Sequence, residues 1–211
     1  MGTPFSGTSD VVGALVTVVP GRATGQRRVV THLNIGLNGA TSILINNLDA
    51  AFYQDVAGIE IPPLMFDDPS TDLDVTASSG VVSTCQMSGY DEAVGESGNR
   101  FMVTATQNTA NGTEVDTSIR AAGSTTEVLS VERVLCLPEA TTGMTMLVGY
   151  DDDGAGTNFV GITPELTGLQ SYDLGALKIP AGKYLTMRVD ETAGAGAKVG
   201  SVILSYRILT Q

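Results

Sequence analysis

Hydrophobic and polar positions alternate along most of this chain with the period of two that marks half-buried β-strands. The clearest case lies near its end. Leu185, Met187 and Val189 alternate with Tyr184, Thr186, Arg188 and Asp190, and Val202, Leu204, Tyr206 and Ile208 alternate with Ile203, Ser205, Arg207 and Leu209. The small residues 192–197 between the two runs predict a turn, and the pair predicts an antiparallel hairpin. A second hairpin is predicted from 29–37 and 42–48 around Asn38-Gly39, a dipeptide suited to tight turns. A third is predicted from 101–106 and 115–121 around Asn111-Gly112. Residues 11–19, 73–77, 81–87, 128–137, 144–150 and 158–162 read as further strands. Residues 49–56 fit one helical turn or a bulged strand, Pro62-Pro63 marks an edge or an extended loop, and 67–72 and 89–98 read as polar turn and loop.

Short strands separated by turns predict an all-β fold, an antiparallel β-sandwich of jelly-roll type. The first ten residues, Gly, Thr, Ser and Pro around Phe5, read as an extended N-terminal arm. Phe5 is then the candidate interface residue, an anchor on a neighbouring subunit; the plain alternative is a frayed terminus. On this division residues 1–25 are the arm and first strand, and 26–211 are the sandwich. Two half-size β units meeting near 122–127 are the alternative. An echo suggests them: Arg100-Phe101-Met102 before Thr109-Ala110 resembles Lys183-Tyr184-Leu185 before Thr192-Ala193.

Composition narrows the function. Only 16% of the 211 residues are charged, Gly is abundant at 25, and Trp is absent. The formal net charge of −12 argues against nucleic acid as a partner, since such domains show basic patches and Arg27-Arg28 is an isolated pair. It also disfavours anionic lipid. No apolar run approaches the ~20 residues of a membrane span, and residues 1–25 lack a signal-peptide pattern. The expectation is a protein made in the cytoplasm and not secreted, with no membrane partner. Cys85 and Cys136 are expected to be buried, reduced and unpaired.

Candidate chemistry is sparse. His32 is the single histidine and lies on a strand face without a nucleophile in motif context, so no triad is indicated. Asp151, Asp152 and Asp153 lead a loop rich in oxygen ligands, but position twelve from Asp151 is Ile162, where a helical calcium loop needs Glu. They are weak metal candidates and read first as a solvated turn. Asp67, Asp68, Asp72 and Asp74 form a still weaker cluster. Tyr90 and Tyr150 could stack on a sugar but suit a sandwich rim. No carboxylate pair stands out for glycoside hydrolysis. No catalytic residue, cofactor or enzyme activity is expected.

Leu177-Lys178-Ile179-Pro180-Ala181-Gly182-Lys183-Tyr184, the closing strand 201–209 and the Gly/Thr/Ser-rich start resemble the small β-sandwich auxiliary proteins of tailed-phage virions: decoration or cement proteins of the capsid, and collar or tail accessories. The resemblance implies a non-enzymatic virion protein, a homo-oligomer with a trimer favoured, whose partners include other virion proteins such as the major capsid protein. A receptor- or glycan-binding module of a tail, collar or fibre is the alternative.

Overall fold

The computed structural model describes the whole chain except residues 1, 22–24, 46–47, 49, 68–71, 79–80, 95–99, 110–113, 141, 192–195 and 211. All regular structure among the described residues is strand, paired antiparallel throughout. The chain divides into two compact units, Met1–Gly98 and Asn99–Gln211. The division falls there and not near 122–127, because residues 121–126 connect two strands of the second unit.

The first unit holds β1 (Thr3–Val11), β2 (Val16–Val19), β3 (Gln26–Gly36), β4 (Ile43–Ile45), β5 (Ala51–Phe52), β6 (Leu64–Phe66), β7 (Leu73–Ala77) and β8 (Ser83–Ala93). They form two four-stranded sheets, in the orders β1-β8-β3-β6 and β2-β7-β4-β5. Alternation decides which side chains go inward: Leu33 and Ile35 of β3, Cys85 and Met87 of β8, Ile43 and Ile45 of β4, and Leu73 and Val75 of β7 are all buried. A Cβ at Gly7 of β1 would lie 2.9 Å from the Val19 side chain of β2, so these edge strands of the two sheets lie against each other.

The second unit holds β9 (Arg100–Asn108), β10 (Glu114–Arg120), β11 (Glu127–Pro138), β12 (Met144–Asp151), β13 (Val160–Gly161), β14 (Gln170–Ile179), β15 (Tyr184–Glu191) and β16 (Val199–Thr210). Its sheets run β14-β11-β16-β9 and β10-β15-β12-β13. Each is the corresponding order of the first unit carried forward by eight strands. Val131, Val134, Val202 and Leu204 from one sheet share a core with Met144, Met146, Leu185, Met187 and Val189 from the other. Each fully buried side chain of this kind contributes about 1.5–3 kcal/mol. A Cβ at Gly200 of β16 would lie 2.8 Å from Met144 of β12, again sheet against sheet.

Several expectations are corrected. Residues 1–10 are not an arm: Thr3–Val11 pairs with β8 along its whole length. The three predicted hairpins are strand pairs that cross between sheets. β15 pairs with β10 and β12, whereas β16 pairs with β11 and β9. β3 and β4 lie in different sheets, as do β9 and β10; the turn residues 192–195 and 111–112 lie outside the described residues. The polar stretch 89–98 is not all loop, since β8 continues through Gly89 to Ala93. β3 carries a bulge between Val30 and His32, and a Cβ at Gly89 opposite it would strike the Val29 carbonyl. The echo at 100 and 183 relates β9 to β15, which occupy different sheets.

Candidate functional site

The Asp-rich loop leaves β12 through Asp151, whose side chain is buried. Its two oxygens accept the backbone N–H groups of Gly154 at 2.6 Å and Gly156 at 2.7 Å. Asp153 accepts from Ala155 N at 2.9 Å, Thr157 N at 3.2 Å and the Thr157 hydroxyl at 2.7 Å. Asp152 accepts from Asn158 Nδ2 at 2.7 Å and from Lys183 Nζ. The Thr157 hydroxyl and neighbouring amides hold the Asp153 carboxyl below its ordinary range. Asn158 and Lys183 do the same for Asp152. Each carboxylate oxygen is thus engaged within the second unit. Among the described residues no group of three His, Cys, Asp or Glu is placed to hold a metal ion.

This loop covers the outer face of its own sheet. Gly156, at φ +92°, lies so close to Asp116 of β10 that a Cβ would collide with its carboxylate. Asp116 in turn grips Arg188 of β15 through two hydrogen bonds, at 2.8 and 3.0 Å, and raises its pKa. Phe159 lies over the Arg188 guanidinium at 4.2 Å, a cation–π contact. Glu114 and Asp190 line a shallow depression beside Arg188 with Thr145, Leu147 and Glu165.

On the other sheet of that unit, Glu132 sits at the bulge between Val131 and Arg133. It pairs with Arg207 at 2.6 Å and Arg100 at 2.8 Å. Burial raises its carboxyl pKa, and the two arginines more than offset this, leaving it below the usual value.

In the first unit the charged centre is buried. Arg28 and Asp91 stand opposite each other on β3 and β8, both side chains fully buried, joined by hydrogen bonds at 2.8 and 3.2 Å. Arg28 Nη1 also donates to the Pro20 carbonyl at 2.9 Å. Phe5 lies 4.8 Å from the guanidinium and is itself buried. Phe5 is therefore part of this unit's own interior, which corrects its assignment as an anchor on a neighbour.

The remaining candidates are scattered. His32 is exposed, with Nδ1 2.9 Å from the Thr31 hydroxyl. Asp67 pairs with Arg27 at 2.6 Å, Asp72 accepts Gly21 N at 2.5 Å, and Asp74 accepts the Thr17 hydroxyl at 2.7 Å; Asp68 lies outside the described residues. Tyr90 and Tyr150 are half-buried on strands. Cys85 and Cys136 are free and buried, and burial pushes both thiols up to about 12. The Arg28–Asp91 and Arg188–Asp116 pairs escaped the sequence reading because each joins residues distant in sequence whose strands must first be put in register.

No protein-family model and no curated protein matches the chain. Among solved structures it is similar to one in "Life in the extremes: atomic structure of Sulfolobus Turreted Icosahedral Virus" (12% identity, TM-score 0.42, 96% of this chain and 60% of that one). It is similar to another in "The Triple Jelly Roll Fold and Turret Assembly in an Archaeal Virus" (13% identity, TM-score 0.42, 99% of this chain and 60% of that one). The major capsid protein P2 from Bacteriophage PM2 is also similar, at 9% identity and TM-score 0.42, with 99% of both chains covered. The chain thus spans 60% of the length of the first two.

Proposed function

We propose that each unit is a jelly-roll sandwich, and that the chain is a non-enzymatic structural protein of a virion acting as a homo-oligomer. One observation carries this reading: the first strand lies beside the eighth and the second beside the seventh, and the same order recurs in the second unit. Eight strands in two four-stranded sheets with that connectivity are the pattern of a jelly roll, an architecture of viral capsid and lectin domains. A fold alone does not fix a function, so the chemistry must agree. Support comes from Asp151, Asp152, Asp153, Asp116 and Glu132, whose carboxylates accept hydrogen bonds or pair with cations inside the second unit.

A duplicated unit suits lattice building. Three copies of a two-unit chain offer six similar units around one axis, and a closed ring stops growth where an open contact would make fibres. On this reading the chain is made in the host cytoplasm and works in the capsid, against other virion proteins such as the major shell protein. Decoration or cement is one form of that role; repetition within one chain favours a place in the lattice itself. The test is native mass spectrometry of the full-length protein at micromolar concentration. A discrete closed oligomer is expected, at three times the 21.8 kDa chain mass. A monomer that captures glycans on an array would instead favour the receptor-binding reading.

A further inference from the structure

We infer that one end of the first unit, where the β1–β2, β3–β4 and β7–β8 connections meet, is the surface through which copies of this chain associate. The inference rests on the homo-oligomeric reading above and names the contact it would use. Val12 and Val82 flank the last pair of the β1–β8 ladder, Val11 opposite Ser83, and are 45% and 50% exposed. The Asn38 amide donates to the Val82 carbonyl at 3.2 Å, which brings the β3–β4 turn to the same place. Leu44 is opposite Thr76 on β7, and Leu15 precedes Val16, which is opposite Val75. Leu44 is 40% exposed beside Thr76, and Leu15, just before β2, is 60% exposed. Exposed aliphatic side chains gathered at one end mark an interaction surface.

Charge selects the occupant. Residues 11–19, 33–48 and 75–89 contain no charged side chain, in a chain of net charge −12. The carboxylate of Asp55 reaches this end but accepts the Leu37 amide at 2.7 Å. Two strongly acidic copies repel wherever their carboxylates meet, and like-charge juxtaposition costs affinity. At this end they can bury apolar surface without that cost, whereas a basic partner would find no countercharge. The occupant is a second copy.

The experiment compares wild type, Leu15→Glu/Val82→Glu and the control Leu177→Glu, whose side chain is exposed in the second unit. Sedimentation velocity at several micromolar concentrations reads association, and circular dichroism reads folding. Placing carboxylates at the contact should weaken self-association at least tenfold, with the spectrum unchanged, while Leu177→Glu assembles as wild type does. Unimpaired assembly of the double variant overturns this surface and leaves the homo-oligomer intact. A monomeric wild type overturns both. Wild type that stays monomeric yet binds neutral phosphatidylcholine vesicles overturns both in favour of a lipid surface.

Discussion

At the residue scale, the strongest electrostatic commitment is Arg28–Asp91, because neither side chain retains any exposure. Removing one partner from a buried ion pair leaves an uncompensated charge and costs about 3–5 kcal/mol. Asp91→Asn keeps the shape and deletes the charge, so the unfolding free energy from urea titration should fall by about that much. Asp173→Asn is the comparison: its pair with Arg133 is nearly as short, 2.9 Å, but the Asp173 side chain is 65% exposed, and solvent screening should hold the loss below about 1 kcal/mol. Equal losses for the two variants would contradict this account. The wider lesson concerns Phe5. An isolated aromatic among Gly, Thr, Ser and Pro reads as an anchor for some other molecule. Its position opposite Gly89 and near the Arg28 guanidinium gives it a partner inside its own unit.

At the element scale, β1 and the Asp-rich loop make separate predictions. Because β1 pairs with β8 over nine residues and carries Phe5 against Arg28, deleting residues 1–10 should unfold the first unit. Amide hydrogen exchange should then lose protection in β3 and β8 while β11 and β16 keep theirs; retained protection in β8 would restore the view of the segment as a dispensable arm. The loop at 151–158 is predicted to hold without metal, so EDTA should leave the melting temperature unchanged. Its acid response follows from the lowered pKa values of Asp152 and Asp153. A carboxyl whose folded pKa lies below its unfolded one stabilises fully above the unfolded value, near 3.8 for these two, and loses that contribution as pH falls through the folded pKa. The melting temperature should be level above about pH 5 and decline below about pH 4; a decline beginning near neutrality would contradict this assignment. Alternation in the sequence made most strands and their inward faces legible, as at Leu185, Met187 and Val189. It did not make partners legible. Period two says which side of a strand is apolar, but in the second unit both sheets present apolar faces to one core. A following strand can therefore pair beside its predecessor or cross over to the facing sheet with the same pattern. Polar residues also misled: β8 carries Tyr90, Asp91 and Glu92 in a strand because Arg27 and Arg28 stand opposite the two acids.

At the scale of the whole molecule, the repeated strand order organises everything else. Among the described residues no group of three His, Cys, Asp or Glu is placed to hold a metal ion, and Arg28, Glu132 and Arg188 each pair with an oppositely charged side chain of their own unit. The first unit also exposes Val12, Leu15, Leu44 and Val82 around the connections at one of its ends. The repeated strand order itself was only faintly legible, since the echo between 100 and 183 joins strands that are not equivalent, while the equivalent pairs, such as β3 with β11, share a place in the strand order without visible sequence likeness. The most direct test of the central claim is quantitative mass spectrometry of purified virus particles from the source culture, with the chain's peptides measured against those of the major shell protein. The account predicts many copies per particle in a fixed small-integer ratio to the shell; peptides found only in infected-cell lysate, and absent from purified particles, would contradict it.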